Sequence, residues 1–344
     1  MTSKMPIIMI GTQRSGSNLL RLILNEISII AAPHPPHIIQ RLMPLLFTYG
    51  DLSVSKNFKQ LVNDTYQLIK LNPVPWERVK FDRNNILSRC MENTLVAVFS
   101  SVYDIYAEAW DAKIWCCKSL ANVHYFPQIN AYLPNAKYLY LYRDGRDVAV
   151  SFKEAVVGQK HFFHIAQQWR KDQHAALKIK KQLRGEQFFS LSYEDLINSP
   201  ELSLYNLCGF LELEFSPTML DFYNSREASN TSSSSTLWSN VSKPIIKKNS
   251  NKFLSKATKE EVKIFESVAG DVLDSLGYER NQTNMGEFRT FSQEEIAQFD
   301  LQNEKAKAQV RDMIDVKEKK RREQQLSLLE AIKSRCSLID SKTY

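Results

Sequence analysis

The sequence predicts an α/β protein with a P-loop-like, three-layer fold, in which helices flank a central parallel sheet. The apolar run Pro6–Ile10 has the pattern of a buried strand, and it leads through two glycines into a helical pattern. Further strand-like runs at 114–117, 137–142 and 187–192 alternate with helical segments. Such alternation is typical of a parallel sheet that is covered on both faces.

The composition suits a globular protein with an ample core. The 344 residues are 43% hydrophobic and 24% charged, and no stretch approaches the roughly 20 apolar residues of a membrane helix. We expect no secretory signal, because the N-terminal apolar run continues straight into the glycine turn. Without CxxC spacing, the cysteines (Cys90, Cys116, Cys117, Cys208 and Cys336) are expected to be free thiols, which favours a reducing cytoplasm. The net charge of +7 favours anionic ligands without establishing nucleic-acid binding.

The glycine turn after the first strand indicates a phosphate-binding loop. Gly11 and Gly16 have P-loop spacing, and a loop between strand and helix directs N–H groups and the positive helix end at a phosphate. Ser17 and Asn18 stand where a nucleotide triphosphatase has lysine and the magnesium-binding hydroxyl. Arg14 supplies a cation inside the loop instead. We therefore expect the loop to bind a phosphate-like group without magnesium; an ordinary strand–turn–helix is the alternative.

Three further side chains are candidates for chemistry near this loop. His34 and His37 lie in the proline-rich loop 31–38, and histidine has the pKa best suited to proton transfer near neutrality. Incidental histidines in a surface loop are an equal alternative. Lys118 follows the strand Ile114–Cys117, at the carboxyl end of the sheet, where open α/β sheets bind ligands. A solvated strand end is the alternative for Lys118.

A second candidate anion site follows the most strand-like segment, Lys137–Tyr142. Arg143 comes directly after this strand, and Ser151 lies on the helix predicted over Val148–Ala155. A guanidinium fork and a hydroxyl can hold a phosphate between them, whereas a solvated turn is the alternative. The basic segment Lys243–Lys252 lacks helical periodicity and suits either a loop over an anionic ligand or a solvated loop.

The rest of the chain is predicted to be largely helical. Helical patterns cover 39–47, 58–71, 92–110, 161–183, 200–211 and 257–276. The serine-rich run Asn230–Thr236 is predicted to be a flexible loop. A change in composition near Asn281 divides the chain into an α/β domain, 1–280, and a charged, mostly helical extension, 281–344. We expect the extension to be solvated, to pack locally or mediate homo-oligomer formation, and to carry no chemistry.

Together, these motifs resemble those of the sulfotransferases that use 3′-phosphoadenosine 5′-phosphosulfate (PAPS). Thr12–Leu19 is similar to the family's 5′-phosphosulfate loop, in the Arg-Ser-Gly form of tyrosylprotein, Golgi carbohydrate and many bacterial members. Tyr140–Ser151 resembles its 3′-phosphate motif, and Ser192–Leu196 resembles the segment whose tyrosine lies by the nucleotide. The family's closing basic loop and last helix are matched by Lys243–Lys252 and Leu276–Tyr278. The resemblance spans most of the chain before the charged extension.

The resemblance implies sulfuryl transfer from PAPS to an acceptor hydroxyl or amine, by in-line attack and without a metal. The donor contacts that it implies are Gln13, Arg14, Ser15, Gly16, Ser17, Asn18, Arg143, Ser151, Tyr193 and Lys252. Arg14 and Lys118 would neutralise the charge that develops on the bridging oxygen. Cytosolic members carry Lys-Thr-His at the strand end, where this chain has Lys118 followed by serine and leucine. The base is therefore assigned by position to His34, with His37 second, where the Arg-Ser-Gly branch often has glutamate.

Two other functions remain open on the sequence alone. A small-molecule kinase with a degenerate P-loop predicts dependence on ATP and magnesium, and it calls for lysine where Ser17 stands. A non-catalytic nucleotide-binding scaffold would act through the charged C-terminal helices. The segments 39–110 and 161–183 are expected to shape the acceptor pocket, and they suit a sugar, phenol, lipid or peptide equally. Basic residues lack the aromatic interleaving of single-stranded nucleic-acid sites, so we expect no nucleic acid partner.

Overall fold

The computed structural model describes residues 5–311 and 316–335 of the chain. Its strands are β1 (Met5–Gly11), β2 (Ile30–Ala31), β3 (Ile114–Cys117), β4 (Lys137–Tyr142) and β5 (Phe188–Ser192). They form one sheet in the order β2-β3-β1-β4-β5, and every neighbouring pair is parallel. In the register of the central strand, Ile7 lies opposite Cys116 of β3 and Lys137 of β4. The predicted parallel α/β sheet is confirmed.

Helices cover both faces of the sheet. The α-helices are α1 (Ser17–Asn25), α2 (Ile38–Leu42), α3 (Ser55–Lys70), α4 (Arg83–Arg89), α5 (Leu95–Ala109), α6 (Phe126–Tyr132), α7 (Gly145–Glu154), α8 (Phe162–Gln182), α9 (Tyr193–Asn198), α10 (Pro200–Leu211), α11 (Arg226–Ser234), α12 (Phe253–Lys256), α13 (Lys259–Ser275), α14 (Gln293–Arg311) and α15 (Val316–Lys333). Short 3₁₀ segments are Met43–Tyr49, Leu120–Tyr125, Gly185–Gln187, Pro217–Asn224 and Thr236–Ser242. Most predicted helices agree with these bounds within a few residues.

Alternate residues of β1 face two separate core layers. Ile8 and Ile10 pack into the layer that contains α3 and α5, whereas Ile7 and Met9 pack into the layer that contains α1 and α10. All four side chains are completely buried. A strand buried on both faces has a continuous apolar sequence rather than an alternating one, which is why the run after Lys4 indicated a buried strand.

The parallel sheet brings the candidate site residues to one edge. Because the strands all run in the same direction, their carboxyl ends meet at the same edge of the sheet. The loop at Thr12 follows β1, Lys118 follows β3, Arg143 follows β4 and Tyr193 follows β5. The sequence signals that lie far apart in the chain therefore converge in space.

The flexible loop predicted over Asn230–Thr236 is wrong, because α11 runs through Ser234. The Ser234 hydroxyl donates to the carbonyl of Asn230 at 2.6 Å, one helical turn earlier. Arg21 of α1 donates to the hydroxyl of Thr231 at 2.7 Å and fixes the helix from the core side. Serine favours loops because its hydroxyl competes for backbone partners, but here the hydroxyls bond within the helix itself.

Most described residues of α15 are exposed, as expected for a solvated extension, and one face of the helix packs locally against the domain. Ile332 is completely buried in the main core layer, and Gln325 is also buried. Arg335 forms an ion pair with Asp64 of α3. The sequence did not indicate this contact, because α15 is highly charged and only one side of it packs against the domain. The domain boundary near residue 280 stays a prediction.

Two further expectations concern the free cysteines and the absence of a membrane-spanning helix. Cys116, Cys117 and Cys208 are buried, Cys90 is half-buried, and all four are free thiols as expected. Cys336 lies outside the described residues. Within the described ranges, no helix combines the length and the apolar character needed to cross a bilayer. The cytoplasmic location stays a prediction.

Candidate active site

A cavity of about 430 Å³ opens at the carboxyl edge of the sheet. The predicted site residues that line it are Gln13, Arg14, Gly16, Ser17, Asn18, His34, His37, Lys118, Arg143, Ser151, Tyr193 and Lys252. Ser15 is not among the lining residues, because its side chain is completely buried behind the loop. The structure thus gathers both predicted anion motifs, the lysine and the two histidines around one space.

Gly16 allows the phosphate-type loop to turn into α1. Its φ is +85°, and a Cβ on it would lie 2.3 Å from a ring carbon of Tyr193. Both the left-handed backbone and the close ring contact require glycine at this position. The loop therefore presents the first N–H groups of α1 to the cavity, where the helix end favours an anion.

Arg14 links the two predicted anion motifs. Its backbone has a positive φ of 72°, and its Nε donates to Ser151 Oγ at 2.9 Å. Burial, and next the neighbouring charge of Arg143, lower the pKa of Arg14. An anion bound between these guanidinium groups would relieve their repulsion.

Arg143 is held in place by partners from three directions. Its Nη2 donates to Asp147 Oδ2 at 3.3 Å and to the carbonyl of Asn249 at 2.8 Å. Its guanidinium lies over the Tyr193 ring, 4.5 Å from the centroid, and the Tyr193 hydroxyl accepts from Asn249 Nδ2 at 2.5 Å. Among the described residues, nothing accepts from the buried Nε. That donor remains available to an anion in the cavity.

The basic segment 243–252 closes over this end of the cavity. It has no regular helix, as expected, and Lys243, Asn249 and Lys252 line the cavity. Burial, and next the charge of Arg143, lower the pKa of Lys252. Sequence reasoning missed Asn249, although its place inside the basic segment was a signal.

Lys118 is a buried cation without an acidic partner in the described part of the chain. It is 8% exposed at the end of β3. Burial, and next the positive charge of Arg21, lower the pKa of Lys118 to about 7. An anion placed beside it would favour the charged form and raise that pKa again.

The two candidate histidines differ in their access to the cavity. His34 is 4% exposed and tilts against Trp238, and neither ring nitrogen has a partner among the described residues. His37 is half-buried, and its Nδ1 lies 3.1 Å from Ser119 Oγ. Burial, and next the charge of Lys118, lower both pKa values well below the usual one. Both rings are therefore neutral at pH 7 and can accept a proton.

Several lining or supporting residues were not predicted as site residues. Ser119 orients His37, and Trp238 covers His34. Arg41, one helical turn after His37, lines the cavity, and so does Arg322 of α15. The helical spacing from His37 was a signal for Arg41. Nothing local could indicate Arg322, because its position depends on the docking of α15.

A second cavity of about 430 Å³ shares Gln13 and Gln40 with the first. Phe152 and Ile165 give it apolar walls, and Asp172 gives it a buried carboxylate. It forms a second open space beside the loop. In the described ranges, no group of three or more His, Cys, Asp or Glu side chains is arranged to hold a metal ion.

Comparisons with known proteins agree with this architecture. The sulfotransferase domain from the Synechococcus PCC 7002 olefin synthase has a TM-score of 0.54 at 18% identity, over 80% of this chain and 95% of that one. The sulfotransferase domain from the curacin biosynthetic pathway has a TM-score of 0.50 at 22% identity, over 81% of this chain and 100% of that one. These likenesses support the fold.

Sequence comparisons identify the family of the chain. An uncharacterized protein of Aquifex aeolicus is 24% identical over 238 residues, which are 67% of this chain but 28% of that protein. The chain thus spans less than a third of the length of this curated relative. The family model described as the sulfotransferase family matches residues 6–217, more than half of the chain. On that match the chain belongs to the sulfotransferase family, whose chemistry is sulfuryl transfer.

Proposed function

We propose that this chain transfers the sulfuryl group of PAPS to an acceptor hydroxyl or amine. The observation that carries the proposal is the convergence of two anion motifs on one cavity that also holds a buried lysine and two neutral histidines. PAPS has anionic groups at both its 3′ and 5′ positions. Its binding site therefore needs two anion motifs, joined by a surface that binds the adenine ring. Its acceptor is a small molecule, carbohydrate, lipid or peptide.

In this proposal the 3′-phosphate binds at Arg143. The unpartnered Nε of Arg143, the hydroxyl of Ser151 and the ammonium group of Lys252 supply its contacts. The ring of Tyr193, fixed by Asn249, lies beside the nucleoside. A guanidinium offers two donors in a fixed plane, which suits a phosphate better than a flexible ammonium group does.

The phosphosulfate binds at the loop 13–18. Gln13, Gly16, Ser17 and Asn18 line the cavity there, and Ser15 contributes through its main chain because its side chain is buried. No magnesium is required, since the loop lacks the lysine and the hydroxyl that organise a metal-bound triphosphate.

His37 acts as the base in this reaction. It removes the acceptor proton as the acceptor oxygen or nitrogen attacks sulfur, and the bond from sulfur to the bridging phosphate oxygen breaks. Arg14 and Lys118 stabilise the negative charge that develops on that oxygen. We favour His37 over His34 because Ser119 orients its ring and because its ring is partly open to the cavity.

Calorimetric titration with 3′,5′-adenosine bisphosphate (PAP), the spent donor, tests the donor site. Without magnesium, the full chain is expected to bind PAP with micromolar affinity and to bind it more tightly than ATP with magnesium. Arg143→Ala should weaken PAP binding by about 10- to 100-fold, because it removes charge-assisted hydrogen bonds.

Arg170→Ala is the matched control, because Arg170 pairs with Asp271 on an exposed helix face. Its PAP affinity should equal that of the wild type. Preference for ATP with magnesium would contradict the proposal and support the small-molecule kinase. Failure to bind either nucleotide would also contradict it.

A further inference from the structure

The first residue of the phosphate-type loop is held by two side chains of α8. The Thr12 hydroxyl donates to Asp172 Oδ2 at 2.9 Å and accepts from Gln173 Nε2 at 2.8 Å. All three side chains are buried, and Gln173 is completely so. Arg14 follows Thr12 by two residues, so the position of Thr12 limits where the guanidinium of Arg14 can lie.

Asp172 connects this loop to the strand end that carries Lys118. Its other oxygen, Oδ1, accepts from Gln168 Nε2 at 2.6 Å and lies 2.8 Å from His124 Nε2. A carboxylate oxygen only accepts, so the His124 ring carries hydrogen on Nε2 in this contact. His124 belongs to the 3₁₀ segment Leu120–Tyr125, which begins two residues after Lys118. Asp172 therefore joins the loop after β1 to the segment after β3.

Gln173 extends the same contacts to a third strand end. Its Oε1 accepts from the hydroxyl of Tyr140, which lies in β4 three residues before Arg143. We call these connected side chains the Asp172 network: Thr12, His124, Tyr140, Gln168, Asp172 and Gln173. Among the described residues, no buried polar side-chain atom of this network lacks a hydrogen-bond partner.

The three connected strand ends carry cations that converge on one cavity. Arg14, Lys118 and Arg143 line it, and Arg143 Nη1 donates to the carbonyl of Arg14 at 3.2 Å. Like charges repel, so the strand ends need attractive contacts elsewhere to stay at a fixed separation. A buried network in which every partner is present supplies such contacts and makes the region rigid. Asp172 itself lines the second cavity and not the first, so it acts on the cations through the backbone.

We propose that Asp172 is a positioning residue for sulfuryl transfer, because it fixes the loop that carries Arg14 to the segment that follows Lys118. This inference rests on the proposed function for the roles of the two cations. In-line transfer needs both cations at the bridging oxygen, and a displacement of about 1 Å can slow an enzyme about 100-fold. The proposed 3′-phosphate end has its own contacts around Arg143, so donor anchoring is expected to survive the loss of the network.

Amide hydrogen exchange on the full chain, without any nucleotide, tests the link itself. Asp172→Asn places an amide group against hydrogen-bond donors, and it should speed exchange by about tenfold in both the loop 12–18 and the segment Leu120–Tyr125. Thr12→Val keeps the side-chain shape without the hydroxyl, and it should speed exchange mainly in the loop. Thr12→Ser keeps the hydroxyl and should behave like the wild type. Unchanged exchange in the loop of Asp172→Asn would overturn the inference.

Binding of orthovanadate to the PAP complex, measured by ⁵¹V NMR, tests the consequence for transfer. Vanadate adopts the five-coordinate geometry of in-line transfer, so its affinity reports how well the site fits the transition state. Thr12→Val and Asp172→Asn should weaken vanadate binding by about 10- to 100-fold, while PAP affinity in calorimetry stays within about threefold. Thr12→Ser should keep the vanadate affinity. Unchanged vanadate binding in Asp172→Asn, or equal weakening of vanadate and PAP, would contradict a positioning role.

Asp64→Asn is the matched control, because Asp64 is also a buried carboxylate on a helix with side-chain donors. It accepts from Tyr49 and Gln60, and it lines neither cavity. We expect its urea midpoint to fall by a similar amount, without a loss of vanadate affinity. An equal loss of vanadate affinity in Asp64→Asn would assign the effect to lower stability and overturn the inference.

The proposed function is judged by a separate readout. If the wild type fails to bind PAP in calorimetry, the donor assignment fails. Hydrogen exchange is measured without nucleotide, and it still decides whether Asp172 fixes the loop to the segment that follows Lys118.

Discussion

The two ends of the active-site cavity are built in opposite ways. At the proposed 3′-phosphate end, Arg143 is braced by Asp147, Asn249 and the ring of Tyr193. At the proposed reaction end, which holds His34, His37 and Lys118, the ring nitrogens of His34 have no partner in the described part of the chain. The braced end is preorganised to hold a ligand, whereas the proposed reaction end keeps His34 without a hydrogen-bond partner among the described residues.

Shifted pKa values occur at both ends, but the larger shifts lie at the proposed reaction end. Burial lowers the pKa of Lys118 to about 7 and those of both histidines well below the usual value. Groups with strongly shifted pKa values gather where proton transfer and charge stabilisation take place. We therefore expect different substitutions to damage donor binding and the transfer step.

The largest expected effect comes from His37→Gln at the reaction end. Loss of the base should slow sulfuryl transfer by about 100- to 10,000-fold, while PAP affinity stays unchanged. Transfer is measured with ³⁵S-labelled PAPS under single-turnover conditions. His174→Gln is the control, because that ring is 52% exposed and pairs with Asp271. Equal rates in the wild type and His37→Gln would remove His37 from the mechanism.

Gly16→Ala disturbs the contact between the phosphate-type loop and the Tyr193 ring at the braced end. The new Cβ would meet the Tyr193 ring at 2.3 Å, and the backbone would keep a φ of +85°. We expect the free energy of unfolding to fall by about 1–3 kcal/mol and PAP affinity to fall with it. Gly185→Ala is the control, since nothing lies within 4 Å of its added Cβ. Urea unfolding and calorimetry measure both effects, and an unchanged PAP affinity would contradict the loop assignment.

The titration of Lys118 is expected to make PAP binding depend on pH. Its pKa is lowered to about 7, so its positive charge is present below that pH and is lost as the pH rises through 7. Bound anion raises the pKa again, so PAP binding at pH 8 should take up a proton. Affinity should fall by up to about tenfold per pH unit above 7.

Calorimetry at pH 8 in buffers of different ionisation enthalpy measures that proton uptake. Lys118→Met should abolish most of it. Proton uptake of the same size in Lys118→Met would show that another group titrates.

The smallest effect is expected where α15 docks. Arg335→Leu removes the partner of Asp64, but Tyr49 and Gln60 still donate to that carboxylate. The free energy of unfolding should fall by only about 1 kcal/mol, and PAP affinity should not change. Urea unfolding measures the loss, with Lys333→Leu on the exposed side of the helix as control. A large loss of PAP affinity would show that α15 supports the donor end as well.

Local patterns predicted the sheet and the braced end well. The apolar run of β1 and the alternating segments that follow depend on nearest neighbours in sequence, so the parallel sheet was predictable. Arg143 and Ser151 lie on one strand–helix unit, and their approach to Arg14 follows from the direction of parallel strands. Even so, β2 was missed, because two residues such as Ile30 and Ala31 carry no pattern.

Long-range contacts at the reaction end were not predictable from the sequence. The hydrogen bond between His37 and Ser119 joins residues 82 apart, and Arg41 donates to Gln325 across 284 positions. The docking of α15 depends on single apolar and polar contacts such as Ile332, which leave no periodic signal. The sequence therefore indicated the candidate bases without showing what orients them.

Following the sulfuryl group itself is the most direct test of sulfuryl transfer from PAPS by this chain. The full chain would be incubated with ³⁵S-labelled PAPS and a desalted small-molecule extract of the source cells, and the label would be followed by chromatography. We predict a new labelled organic product, formed together with PAP, that the wild type makes and His37→Gln does not. Label that stays in PAPS, or that is recovered only as inorganic sulfate, would contradict sulfuryl transfer to an organic acceptor.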